Sequence, residues 1–199
     1  MVVKPVILEG THVRLEPMTI GHLDALWEVG NDPDLWQWTT SNISTKELMA
    51  SYIRSGVRAL EEGTGVPFVI QSKADNMVAG STRFGNIDME NKKLEIGWTW
   101  VARRWQRSSV NTECKLLLLQ HAFETLGCNR VELKTDALNT RSRAAILRIG
   151  AKEEGILRSH MVTATGRVRD SVYYSILAAE WPAVKLALQS KLGSDHVAR

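Results

Sequence analysis

Cysteine is scarce: only Cys114 and Cys128 occur in 199 residues, with no metal-type spacing and no histidine pattern around them. That excludes zinc chemistry and reads as two buried, reduced thiols. The 5 prolines and 14 glycines are scattered, which excludes collagen-like, low-complexity and disordered classes. No apolar run approaches the roughly 20 residues of a membrane-spanning helix, and the first residues, Met1-Val-Val-Lys-Pro-Val-Ile-Leu-Glu9, lack the apolar core of a signal peptide. The expectation is a cytoplasmic protein without a membrane partner. Charge of one sign is also lacking: 25 Lys+Arg against 22 Asp+Glu leave +3, too mild to argue for nucleic acid. What is plentiful is tryptophan, at 7 residues, with Trp36, Trp38 and Trp105 outside the most regular segments. Such side chains often line ligand sites, whereas Trp27, Trp98 and Trp100 read as core.

No repeat, linker or charge block divides the chain, so residues 1–199 read as one domain, with a core over about 6–192 and a flexible tail at 193–199. Val6 to Glu16 reads as a short paired or bent strand around Gly10-Thr11, and Leu23, Leu26 and Trp27 mark a short helix after Thr19. Ser44-Thr-Lys-Glu47 has the pattern of a capping box opening a second helix that ends at Gly63. Val66 to Gln71, Met77 to Met89 and Leu94 to Val101 then form an antiparallel meander. A strongly apolar helix from Val110 to Gly127 follows, then a strand Arg130 to Thr135 and a helix Asn139 to Ile149. A hairpin of Glu154 to Val162 with Arg167 to Leu177, and a last helix from Glu180 to Leu192, complete an α+β (mixed α/β) sheet with helices on both faces.

The loop between the meander and the apolar helix reads Val101-Ala-Arg-Arg-Trp-Gln-Arg-Ser-Ser-Val110. Guanidinium groups beside the free N–H groups of a helix start suit a pyrophosphate. A solvated basic loop with Ser109 as N-cap fits the same residues, and a docking patch of Arg103, Arg104 and Arg107 for RNA is a weaker reading.

Glu95-Ile-Gly-Trp-Thr-Trp100, the Arg-Arg-Trp-Gln loop, Val-Asn-Thr-Glu-Cys-Lys-Leu-Leu-Leu118, Asn139-Thr-Arg-Ser142 and Ile149-Gly-Ala151 together resemble the GNAT superfamily of acyl-CoA N-acyltransferases. The similarity spans Ile7 to Lys185 and runs to the branch of RimJ/RimL-like ribosomal-protein N-acetyltransferases. It implies a sheet whose two central strands, Leu94–Val101 and Arg130–Thr135, splay to admit acetyl-CoA as co-substrate, with no metal. On the resemblance, Trp100, Val101, Arg104, Gln106, Arg107, Ser108, Ser109 and Val110 bind the cofactor. The family's Gln/Arg-x-x-Gly-x-Gly/Ala motif maps onto Arg104-x-x-Arg107-x-Ser109, where both glycines are replaced. Asn139 and Ser142 match an Asn-x-x-Ser element that contacts the pantetheine arm and sulfur, with Ser142 protonating the leaving thiolate; as sequence alone, Asn139 is also a good N-cap.

Glu95, between Leu94 and Ile96, points away from these apolar neighbours and is the candidate general base for an amine with an ordinary pKa of about 7.7–8.0. The other reading is an exposed carboxylate paired with Arg83 or Lys93. Trp36, Trp38 and Arg83 are candidates on the acceptor side, though either Trp also suits a gap between helices. His121 and His160 are assigned to structure. The expected reaction is direct attack of a small-molecule or peptide amine on acetyl-CoA in a ternary complex; a CoA-binding protein without turnover is the alternative, and a homodimer stays open.

Overall fold

The computed structural model describes residues 3–194. Of the two readings of residues 6–16 the paired one is found, a hairpin of β1 (Leu8–Glu9) and β2 (Val13–Pro17), because Gly10 donates to the Val13 carbonyl and turns the chain back. Helices α1 (Leu23–Gly30) and α2 (Lys46–Glu61) follow. The N-cap of α2 is Thr45, whose Oγ1 accepts from the Leu48 N–H, one residue later than the Ser44 capping box expected. Strands β3 (Val66–Ser72), β4 (Val78–Asp88) and β5 (Lys93–Val101) form the meander. Helix α3 (Ser109–Gln120) ends in a π-turn over His121–Thr125 and connects to β6 (Arg130–Asp136). The chain then forms α4 (Thr140–Arg148), β7 (Lys152–Val162), β8 (Val168–Leu177) and α5 (Trp181–Ser194). Helix α5 includes Gly193 and Ser194, and the rest of the tail expected at 193–199 lies outside the described residues.

One eight-stranded sheet has the order β1-β2-β3-β4-β5-β6-β8-β7. Every neighbouring pair is antiparallel except β5 and β6, whose parallel pairing requires the long α3 crossover. Alternation along the strands sorts side chains between two layers. Leu15, Phe68, Phe84, Leu94, Ile96, Val131, Leu133 and Tyr174 pack beneath Cys114, Leu118, Trp181 and Leu188 of α3 and α5. Met18, Val69 and Trp100 pack on the other face against Leu26, Trp36, Met49, Tyr52 and Ile53, from α1, α2 and the segment between them. Helices therefore cover both faces, as the sequence pattern implies. Among the described residues no helix is long and apolar enough to cross a membrane.

Candidate active site

Strands β5 and β6 are paired only at Lys93–Arg130, Leu94–Val131 and Glu95–Glu132, and diverge from Ile96 onward. On its other edge β5 carries an extra residue: Ser81 pairs with Trp100 and Arg83 with Gly97, so two steps in β4 match three in β5. The bulge holds Trp98 at φ 50. Thr99 beside it accepts from the buried Lys115 Nζ of α3 at 2.6 Å and bonds Thr82 Oγ1 at 2.8 Å. Burial pushes the Lys115 ammonium below its ordinary range. The strand is thus bent away from β6 and tethered to α3 at the bend.

At the mouth of this gap lies the basic loop. Ser108, rather than Ser109, caps α3: its hydroxyl donates to the Trp105 carbonyl and accepts from the Val110 N–H. Gln106 Nε2 donates to the Val101 carbonyl at 2.7 Å, and Gln106 Oε1 accepts from Arg141 Nη1 at 3.1 Å. A cavity of about 350 Å³ is lined by Asp34, Leu35, Arg103, Gln106, Arg107 and Arg141. Arg103 is already paired with Asp32 and Asp34, which also hold its pKa above the ordinary value. Arg107 and Arg141 have no carboxylate partner among the described residues, so the lining is left net positive. Arg107 sits at φ 58, the left-handed conformation that a glycine takes without strain. Arg104 departs from expectation: it pairs with Asp75 at 2.9 Å, touches Met77 Sδ and lies over the Trp105 ring, away from the cavity. The cavity's charge, the helix start and the turned loop fit a pyrophosphate.

Asn139 caps α4, its Oδ1 accepting from the Ser142 N–H at 3.0 Å. The Ser142 hydroxyl has no partner among the described residues and remains able to donate.

Glu95 is only 3% exposed, which corrects the alternative of an exposed carboxylate. Its partners also differ from those expected: Oε2 accepts from Asn86 Nδ2 at 2.7 Å and from Lys134 Nζ at 3.0 Å, while Lys93 pairs with Glu132. Asn86 is positioned by a second bulge, in β4, where it takes φ 48. Oε1 accepts from no donor among the described residues and lies 2.7 Å from where a Cβ on Gly97 would stand. One oxygen is anchored and the other is available. Beyond Lys134 the same face carries Tyr173, His160 and Arg169. Burial, with the charges of Lys134 and Arg169, pushes the His160 imidazole below its ordinary range.

Trp36 does not offer a face to an acceptor. It is 6% exposed, lies edge-on to Tyr52 and tilted against Trp100, and donates its indole N–H to the Gly30 carbonyl at 2.9 Å. Trp38 is half-buried near β8, with the Arg167 guanidinium over its ring and Arg169 approaching its carbonyl. The Trp100 indole is buried against Trp36, and Val101 and Val110 are buried at the two ends of the loop. Burial pushes the Cys114 and Cys128 thiols up to about 11, which leaves both unreactive. His121 stacks on Phe84 in a packing role. Sequence reasoning missed Arg141, Asn86 and Lys134; their contacts depend on a loop, a bulge and a strand pairing that carry no local motif.

Fold and site together define an acetyltransferase. Residues 12–152 match the family described as "Acetyltransferase (GNAT) domain", and the chain belongs to that family. It is 37% identical over 111 residues to the Bacillus subtilis protein named "Putative ribosomal N-acetyltransferase YdaF", a match covering 56% of this chain and 60% of that protein, so the chain spans about three fifths of that relative. A GCN5-related N-acetyltransferase from Brucella melitensis superposes with a TM-score of 0.90 at 31% identity, over 96% of this chain and 87% of the other. Mycobacterium smegmatis RimJ, solved with CoA-disulfide, shares the fold at a TM-score of 0.82 and 23% identity, over 94% and 95%.

Proposed function

We propose that the protein transfers the acetyl group of acetyl-CoA to a primary amine by direct attack in a ternary complex. The observation that carries this reading is the parting of β5 from β6 immediately beyond Glu95, with the positive cavity at one end of the gap and a half-anchored carboxylate at the other. Arg107, Arg141 and the first N–H groups of α3 hold the pyrophosphate, with Gln106 and Ser108 shaping the loop. Asn139 offers its amide N–H to the pantetheine arm, and the unpaired β5 edge near Trp100 offers backbone groups to the thioester. When bound, the cofactor supplies the activated acyl group.

Glu95 Oε1 takes a proton from the acceptor ammonium, directly or through one water, while Asn86 and Lys134 keep the carboxylate oriented. The amine nitrogen forms its bond to the acyl carbon, the carbon–sulfur bond breaks, and the second proton shed by the nitrogen as the amide forms passes through the Ser142 hydroxyl to the thiolate, leaving Ser142 neutral. No covalent enzyme intermediate is needed, and the buried thiols offer none. The name of the Bacillus subtilis relative, "Putative ribosomal N-acetyltransferase YdaF", supports an amine of the ribosome as one acceptor. The test is an amine panel, small molecules and N-terminal peptides, incubated with acetyl-CoA and read by thioester consumption and product mass. Acetylated product supports the reading; CoA binding without consumption of thioester for any amine overturns it.

A further inference from the structure

Arg83 is charged, buried and, among the described residues, without a counter-ion. It is 6% exposed, and its Nε and Nη2 have no hydrogen-bond partner among the described residues. Its surroundings are aromatic: the guanidinium lies 4.9 Å from the Trp98 ring centroid and 5.9 Å from that of Tyr52, with Nη2 against Gly56 of α2. An aromatic face recovers only part of what a guanidinium loses on leaving water, and the usual completion is a carboxylate. Burial accordingly pushes its pKa below the ordinary value.

The position of this group relative to Glu95 gives it a use. Arg83 is the cross-strand partner of Gly97, and Gly97 is the residue against which Glu95 Oε1 lies. Glu95 and Gly97 are two steps apart on one face, about 6.6 Å along the strand. Trp98 covers both neighbours: its ring lies over Gly85, the partner of Glu95, as well as over Arg83. At 38% exposure it is the accessible member of the group. Further along the face Arg169 is buried too, bonded to the Ser171 hydroxyl and the Trp38 carbonyl rather than to a carboxylate.

We propose that Arg83 is an anion subsite of the acceptor pocket, and that the preferred acceptor carries a carboxylate within a few bonds of the amine it presents to Glu95. The inference rests on the transferase reading above and narrows its substrate class. A free amino acid and a peptide with an acidic second residue share this chemistry, and the test separates them.

Matched acceptors differing only in that charge are compared with acetyl-CoA saturating: Ala-Glu-amide with Ala-Gln-amide, and γ-aminobutyrate with its amide, each rate expressed per neutral amine. The expected result is a kcat/KM at least tenfold higher for the acid of one or both pairs, the peptide or the free acid series identifying the source. Arg83→Gln is expected to remove that preference, the acid-to-amide ratio falling to about one, and Arg83→Lys to retain part of it. Acids and amides equal within threefold in the wild type, a result that needs no variant, would overturn the proposal. The N-acetylated acids and amides are also titrated calorimetrically into CoA-saturated protein. Selective binding of the acids with no turnover of any amine leaves the anion subsite standing and removes the transferase reading. Indifference in binding and in turnover removes the subsite.

Discussion

At Glu95 the decisive feature is asymmetry: Asn86 and Lys134 occupy one carboxylate oxygen and leave the other open. Glu95→Gln keeps the shape and the Asn86 contact's geometry but removes the proton acceptor. Kcat should fall on the order of 100-fold, the lower range for a general base, with the acetyl-CoA KM within twofold and the acidic limb of the pH–rate profile lost. An unchanged profile would take Glu95 out of the chemistry. Arg107 poses a balance instead. Its φ of 58 costs a non-glycine residue about 1–2 kcal/mol, while a charge-assisted bond to phosphate contributes about 1.5–3 kcal/mol. Calorimetry of Arg107→Gly should show CoA affinity changed less than tenfold, and added salt should weaken the wild type more than the variant. Trp36→Ala removes a buried indole and its bond to Gly30, so the expected effect is on stability, about 3–5 kcal/mol, seen in a melt before any change in acceptor binding.

At the scale of elements, α3 is tied to the sheet by two buried charges that no helical pattern announces. Glu113 accepts from the N–H groups of Thr11, His12 and Val13, at 2.9, 2.6 and 2.7 Å, and so holds the β1–β2 turn that Gly10 leaves room for. Glu113→Ala would strand three donors at the edge of the core. A cost on the order of 3 kcal/mol follows, or a melting temperature about 6–12 °C lower for a chain of this size. A loss below about 1 °C would show that water replaces the carboxylate. Lys115, two residues on, reaches the bulged Thr99, so the bend that opens the cleft is held from the helix side. The sequence shows α3 as one apolar run from Val110 to Gly127; the π-turn at its end and both internal charges depend on what lies opposite them.

Across the whole molecule, stability at low pH follows from carboxylates held below their ordinary range by cations on other elements. Arg130 and the Ser175 hydroxyl hold Glu154 to about 2, joining β6 to the edge strand β7 across β8. Glu9, Glu124 and Glu180 are lowered in the same way by Lys73, Lys185 and Lys152. Such groups contribute fully above about pH 4.5 and lose their contribution as pH falls toward 2. The melting temperature should therefore be level near neutrality and fall steeply below about pH 4.5, and Glu154→Gln should flatten part of that fall. A pH-independent melt would rule out these pairs as a source of stability. The order of strands and helices, the meander, the polar loop before a buried helix and the alternation that turns Glu95 from the core were all legible along the chain, because each is a local period or a local turn. Partners were not: Lys134 on Glu95, Arg141 on Gln106 and the isolation of Arg83 arise between segments tens of residues apart, and the bulges at Asn86 and Trp98 shift register without leaving a pattern. Sequence periodicity determines which face a side chain takes; only the tertiary pairing of β5 with β4 and β6 decides which charges meet there and which stay unpaired, because that depends on where two strands part.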